Sequence, residues 1–541
     1  MKLLVFMFDK CIYLIQSNPF KSISLTLILI LCYQSLNIFW GFELLDSGFH
    51  LTAFDNVFDA PDSVSYNFMY YLTNLIGGAF MNMFPNLGVV GFRIVGALFI
   101  DCSIFLIFMC LRNDIPIIHL LIGGILVVMS YIQIPYLFNN GICTCFFYVC
   151  ALLLLYKGLV NKWGLFIILS GIFVGINIFS RIPNLLAVGL VLIILLHNYI
   201  EGSNQKLDRN SSLLFLLGVT SGIIIMLMLI KSLGHFPAFM EAMNVLFKKG
   251  TSSSDAHSAG LLIWVQLYFY LNAIIFVSLF FAVNHIDRKL ERLFGRFIFV
   301  GMASFAIFYH VYLNMGYEPL WAICMIGCVI CLRRNGHIAL LASLALYMLL
   351  IEILGSNSGN NHGSLPALLA APIASYSVIN RRNLLYMMVG CIALVMKVIK
   401  QGNYFDFGPL SQKSYTVIAQ ECSFLRTTKD RAEAINQSLP AIRSYVHPED
   451  TLLVYGDAPM MNYLTHTRPA GGMCWPGGGF FVKPFETAPK ILVHKFNDYT
   501  SPAHQTCGVP IGNQKLDAYM QEHQYQIVWE NPYFILLFPQ K

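Results

Sequence analysis

The chain has 541 residues, of which 57% are hydrophobic and only 11% are Asp, Glu, Lys or Arg, and its formal net charge is +6. An ordinary soluble domain is about a quarter charged, and one or two soluble cores could not hide this much apolar surface. The composition excludes a water-soluble enzyme, the absence of a long run of like charges excludes a nucleic-acid tail, and what is left is a protein that crosses a membrane many times.

A helix that spans the bilayer needs about 20 mainly apolar residues. Thirteen segments fit: 22–41, 88–111, 115–133, 141–157, 163–180, 183–199, 212–230, 261–284, 297–315, 318–332, 337–354, 364–379 and 384–400. The first is too long for the core of a cleavable signal peptide and has no small-residue cleavage site. Pro135 and Pro183 mark places where helices break or turn back. With the N-terminus inside, cytoplasmic loops hold thirteen Lys and Arg, including Arg288, Lys289, Arg292 and Arg296, and the opposite loops hold four: Arg181, Lys231, Lys248 and Lys249. Basic loops stay on the cytoplasmic side. The expected protein therefore lies in the plasma (inner) membrane with a cytoplasmic N-terminus and an extracytoplasmic, periplasmic C-terminal part.

The first outer loop, 42–87, contains Glu43, Asp46, Asp55, Asp59 and Asp62 and neither Lys nor Arg. Its second half, 66–84, is rich in aromatic residues and Met, the composition of a helix lying in the membrane interface. Asp46 and His50 are four apart, so on a helix continuing the first span they share a face. A carboxylate held at the membrane surface can accept a proton or bind a divalent cation, although outer loops also tolerate acids with no such role. Other ionisable residues gather toward the outer ends of spans: Arg93, Arg181, Lys231, His310, Glu318 and Glu352. Charge in lipid is costly and normally faces a cavity or a partner. The loop SNSGNNHGSLP adds Asn361 and His362 as hydrogen-bonding residues for the cavity rim, with His310 and Glu318. Asp101 lies deeper in the second span.

From about 401 the composition turns polar. TLLVYG (451–456) and KILVHKF (490–496) read as strands, MMNYLTH and LDAYMQEH as short helices, and YQIVWE with YFILLFP as a hairpin around Asn531 and Pro532. The chain thus divides into a transmembrane catalytic module, 1–400, and a small α/β domain, 401–541, that covers the site or selects the substrate. The glycine-rich 469–479 segment follows no nucleotide-binding spacing. The 14 cysteines form no metal signature, and most lie in apolar runs. Cys422, Cys474 and Cys507 fall in the polar part, where one disulfide with one thiol left over is compatible with the sequence.

This layout resembles the GT-C superfamily of integral-membrane glycosyltransferases, in particular the bacterial relatives of protein O-mannosyltransferases and of the lipid A aminoarabinose transferase. LLDSGFHL matches the place of the family's acidic motif, with Ser47 where a second acid is usual. NLGVVGFRIVGALF resembles the opening of the family's second span, with Arg93. GIFVGINIFSRIPNL resembles the segment ending in a basic residue, here Arg181, and DTLLVYGDAPMMNYLTHTRPAGG resembles the strand–turn–helix of the tail.

The resemblance implies a fold of about thirteen spans and a sugar donor carried on polyprenyl phosphate. The acceptor is a hydroxyl on a glycolipid, a glycan or a protein, and transfer proceeds with inversion. In this reading Asp46 is the general base, His50 orients it or the acceptor, and Arg93 and Arg181 hold the donor phosphate, since Arg binds such oxygens bidentately. A divalent cation is left open. The alternative is a transporter or flippase for a lipid-linked or small polar substrate, which predicts two related halves with interrupted helices; no such repeat is visible. A ligase or polymerase using the same donor would place its large outer loop between spans, and a non-catalytic scaffold would need no base. The identities of the sugar and acceptor and the oligomeric state are not written in the residues.

Overall fold

The computed structural model describes residues 17–131, 136–202, 207–249, 318–334, 336–353, 365–378, 402–403, 406–476, 482–495 and 514–540. In chain order the helices are α1 (Pro19–Ile38), α2 (Asp46–Asn56), a 3-10 helix (Pro61–Tyr70), α3 (Tyr71–Met83), α4 (Gly88–Leu111), α5 (Ile117–Ser130), α6 (Asn140–Val160) and α7 (Gly164–Asn177). A second 3-10 helix (Ile182–Gly189) leads to α8 (Leu190–Ile200), α9 (Arg209–Ser232), α10 (Phe236–Lys249), α11 (Glu318–Leu332), α12 (His337–Ile353) and α13 (Ala370–Val378). Among the described residues, five helical segments are long and apolar enough to cross a membrane: 19–38, 88–111, 140–160, 182–200 and 209–232. Leu25, Ile28 and Leu29 on α1 and Leu213, Leu217 and Met228 on α9 stay exposed, as side chains facing lipid would. The protein is an integral membrane protein. The expected spans 261–284, 297–315 and 384–400 lie outside the described residues.

Without a hydrophobic force between helices in lipid, close backbone approach decides how they pack. Gly171 and Gly175 of α7 meet Gly218 and Gly222 of α9. A Cβ at Gly171 would stand 2.2 Å from the Phe215 carbonyl oxygen, and one at Gly218 would stand 2.1 Å from that of Ile168. Any larger side chain at this seam would drive the two helices apart. Elsewhere Gln34 Nε2 of α1 donates to Asp101 Oδ1 of α4 over 3.1 Å, so the intramembrane acid of the second span has an amide partner.

Two short antiparallel pairs open the polar part: β1 (Gly402–Asn403) with β2 (Asp406–Phe407), and β3 (Tyr415–Thr416) with β4 (Arg426–Thr427). Helix α14 (Lys429–Tyr445) then leads into β5 (Thr451–Tyr455), α15 (Met460–Thr465), β6 (Arg468–Pro469), β7 (Lys490–His494), α16 (Gln514–Glu522), β8 (Gln526–Glu530) and β9 (Phe534–Phe538). These strands form one sheet in the order β6-β5-β7-β9-β8. β5 runs parallel to β6 and β7, and β9 is antiparallel to both β7 and β8. Continuous apolar runs in β5 and β7 reflect burial on both faces. Leu453, Ile491, Val493 and Ile535 pack with Leu516 and Met520 of α16, while Leu452, Val454, Leu492 and Leu536 belong to the core that includes Ile435, Leu439 and Ile442 of α14. Cys422 and Cys474 are buried free thiols, and Cys507 lies outside the described residues.

Candidate active site

The first span does not run on into the acidic loop as the spacing had suggested. α1 stops at Ile38, the chain turns at Gly41 with φ +90°, and Asp46 begins a separate helix. Three things hold this break. Arg93 Nη1, near the start of α4, donates to the carbonyls of Asn37 (3.1 Å), Ile38 (3.3 Å) and Trp40 (3.4 Å), a cation placed at the negative end of a helix. Arg426 of β4 exchanges backbone hydrogen bonds with Phe39 and Gly41. The Phe42 amide donates to Asp406 Oδ2 at 2.8 Å.

Glu43 is fully buried and accepts from the Leu45 amide at 2.6 Å and, with its other oxygen, from the Ser47 amide. It therefore caps α2 at its N-terminus, where unpaired amides and the helix dipole favour a carboxylate. Burial first, and then the neighbouring Asp46 charge, push the Glu43 carboxyl up to about 7, against the pull of the Ser47 hydrogen bonds and Arg93. Asp46, the first residue of α2, is exposed. His50 sits one turn further on, buried against Phe49, Phe54 and Tyr70 with ring separations of 5.3, 6.0 and 6.5 Å. Burial lowers its pKa to about 4, so the imidazole is neutral, and its Nδ1 has no hydrogen-bond partner among the described residues.

Arg181 lies where α7 gives way to the second 3-10 helix. Thr144, Asn177, Ser180 and Asn184 interlock there: Asn184 Nδ2 donates to Thr144 Oγ1 (3.0 Å), Ser180 Oγ (3.0 Å) and the Asn177 carbonyl (2.9 Å). All four are buried and hydrogen-bonded, as a polar knot inside an apolar bundle must be. The first loop reaches this knot directly, because the Leu72 amide donates to the Phe179 carbonyl at 2.8 Å. That bond joins the segment holding Tyr70 to the segment holding Arg181. The Tyr70 hydroxyl is pushed up by burial, pulled down by the Arg181 charge and pushed up again by Asp46. Acid and base thus act on one half-buried phenol.

The C-terminal sheet module is bonded to the first loop. Met460 N donates to the Leu44 carbonyl at 3.0 Å and Thr52 Oγ1 to the Pro459 carbonyl at 2.9 Å. Gly48 permits this approach, since a Cβ there would stand 2.1 Å from Met460 N. At the far end of α2, His466 faces Asp55 Oδ2 (3.4 Å) and Glu421 Oε1 (3.0 Å). Hydrogen bonds to these two carboxylates raise the imidazole to about 9.

Of the residues singled out from sequence, His50 packs against Tyr70, and Asp46 and Arg181 both act electrostatically on its hydroxyl. Arg93 instead stands at the end of α1, fully buried among backbone carbonyls and near Glu43 and Asp406. His310, Asn361 and His362 lie outside the described residues; Glu318 opens α11, and its side chain also lies outside them. Sequence reading counted Glu43 only as one of five loop acids and passed over Tyr70, Asp406 and His466. An acid just ahead of a helix start, as at Glu43, is a signal that could have been read, whereas Tyr70 gives no local sign. Among the described residues no group of three or more His, Cys, Asp or Glu is disposed to hold a metal. With both Glu43 oxygens on backbone amides, a divalent cation at the start of α2 would find Asp46 as its carboxylate.

No protein-family model matches the sequence, and no curated protein matches it. Solved structures with a similar course include the oligosaccharyltransferase of Archaeoglobus fulgidus in complex with Zn and sulfate. It is 12% identical with a TM-score of 0.49, over 87% of this chain and 68% of that one. ArnT of Cupriavidus metallidurans in the apo state is 11% identical with a TM-score of 0.44, over 96% of this chain and 98% of that one. The same protein bound to undecaprenyl phosphate gives 11% and 0.40 over 95% and 97%. At these identities the functional reading rests on the residues of this chain, which folds as a helical membrane protein with a small C-terminal sheet.

Proposed function

We propose that the chain is a glycosyltransferase of the GT-C type, moving a sugar from a polyprenyl-phosphate donor to an acceptor hydroxyl at the extracytoplasmic face. The observation that supports this reading is that an exposed Asp46 and a buried Arg181 both act electrostatically on the Tyr70 hydroxyl. One end of the site can take a proton, and the other can hold an anion. The motif resemblance at LLDSGFHL and GIFVGINIFSRIPNL names the same two residues independently.

In this reaction the acceptor oxygen attacks the anomeric carbon as the bond to the phosphate oxygen breaks. Asp46 takes the hydroxyl proton, and the polyprenyl phosphate leaves with the bonding electrons. An accessible carboxylate suits general-base work, and a guanidinium stabilises the charge that gathers on the phosphate. Single displacement inverts the anomeric centre. His50, neutral and apolar-packed, positions α2 and is not a proton carrier near pH 7. Arg93 holds the break after α1, with its guanidinium given to backbone carbonyls. The C-terminal module, bonded to both flanks of Asp46, covers the acceptor side. A cytoplasmic N-terminus and an extracytoplasmic module place this chemistry where lipid-linked sugars are the available donors.

The test is transfer of radiolabelled sugar from a defined polyprenyl-phosphate donor by membranes containing the chain. Product released with inverted configuration supports the reading. Movement of the donor between leaflets without any transfer would replace it with the flippase reading.

A further inference from the structure

The loop between β3 and β4 carries two of the most exposed apolar side chains among the described residues, Ile418 at 78% and Phe424 at 81%. They belong to the sheet module, not to the helical bundle. Their position relative to the bilayer follows from three independent anchors. α1 has 20 residues, about 30 Å at 1.5 Å per residue, the thickness of the hydrocarbon core, so Ile38 marks one boundary. Gly88 at the start of α4 stands at the same level, because Arg93 one turn on reaches the last carbonyls of α1. The loop touches both ends: Arg426 pairs with Phe39 and Gly41, Gln420 Nε2 donates to Asn86 Oδ1 at 3.1 Å, and the Glu421 carbonyl oxygen would stand 2.6 Å from a Cβ on Gly88.

Phe424 is therefore held at the boundary where α1 and α4 end. Leu425 and Cys422 on either side are buried, and the Phe424 backbone has φ +67°, a region that bulky residues seldom enter. The loop is fastened inward at its neighbours and turned outward at the phenyl ring. Phe84, two residues from Asn86, is also exposed, and so is Arg426, two residues from Phe424. The one acid in the loop, Glu421, is turned inward to Arg443 and His466. Aromatic and aliphatic tips with a cation and no free acid are the make-up of a segment that enters the headgroup region.

We infer that the 418–426 loop is a membrane anchor of the sheet module, inserting Phe424 and Ile418 into the interfacial layer of the bilayer beside α1 and α4. The inference stands apart from the catalytic reading, since it needs only that α1 and α4 span. Its occupant is phospholipid, because the loop is fastened to the ends of α1 and α4, two apolar helices whose Leu25, Leu29, Ile94 and Leu98 are exposed along their length.

The test places p-benzoylphenylalanine at 424, at 418 or at 527 in the full chain, reconstituted in vesicles of phosphatidylethanolamine and phosphatidylglycerol. Position 527 is the control: Ile527 is 56% exposed on the edge strand β8, away from the anchors. After irradiation, mass spectrometry should find phospholipid adducts at 424 and 418 and none at 527. Lipid adducts at all three positions, protein adducts alone at 424 and 418, or no adduct at either would overturn the inference.

Discussion

Glu43 and Asp46 stand three residues apart at the start of one helix and are treated oppositely by the fold. The first is sealed, with both oxygens on the amides of Leu45 and Ser47, and the second is open to solvent. The buried carboxyl fixes the backbone from which the exposed one projects. Because Glu43 is buried, and because the Asp46 charge repels it further, Glu43 binds its proton up to about pH 7.

This gives a pH signature. A carboxyl raised from 4.5 to about 7 on folding contributes stability that is complete below pH 4.5 and lost as pH rises through about 7. Glu43→Gln cannot ionise. Its unfolding midpoint in detergent should fall less than that of the wild type between pH 5 and 8. Parallel curves for the two proteins would show that Glu43 does not titrate in that window.

The contact at the other end of α2 has a separate window. His466, raised to about 9 by Asp55 and Glu421, contributes stability that is full below pH 6.5 and lost as pH climbs through about 9. Its side chain is 46% exposed, so each pair is worth at most about 1 kcal/mol. His466→Asn tolerates the left-handed backbone there (φ +52°) and should remove the alkaline loss. Thermal unfolding at pH 7 and pH 9.5 reads the difference.

Gly48→Ala should separate α2 from the sheet module, since its Cβ would collide with the Met460 backbone and not with a movable side-chain end. A cost of about 1–3 kcal/mol is expected for forced overpacking, with faster proteolysis of the sheet module. Unchanged protease resistance would mean that the module docks without this contact.

The two arginines should part company. Arg93→Met takes the shared donor away from the buried carbonyls of Asn37, Ile38 and Trp40 and should cost about 1–3 kcal/mol in stability, seen as lost expression and a lowered unfolding midpoint. Arg181→Gln should raise the donor KM roughly 10-fold, the worth of one charge-assisted hydrogen bond, in protein that still expresses and folds. Steady-state kinetics with varied donor separates the two outcomes.

Much of this architecture is legible in the sequence because it follows from strong local signals. Apolar runs mark the helices at 88–111 and 140–160. The strands at 451–455 and 490–494, and the hairpin that follows, carry continuous β-branched and aliphatic residues. Pro183 announces the break beside Arg181. The site is legible only in part. Asp46 and Arg181 stand out as charge at the ends of apolar runs, but Arg93 carries the same signal and turns out to serve the backbone of α1. Composition alone does not say whether a guanidinium at the end of a span faces a cavity or backbone carbonyls. Tyr70 and His466 depend on contacts between distant segments, Leu72 with Phe179 and α2 with α15, that no local pattern encodes. The sequence spacing also suggested one continuous helix through Asp46; Gly41 and the Glu43 cap, acting together with Asp406 from far along the chain, end it.

The most direct measurement is the single-turnover transfer rate of reconstituted Asp46→Asn with a polyprenyl-phosphate sugar donor. Loss of the general base should slow transfer by about 10²–10⁴-fold while the unfolding midpoint stays within error of the wild type. A rate within a few-fold of the wild type would contradict the assignment of Asp46 and, with it, the proposed mechanism.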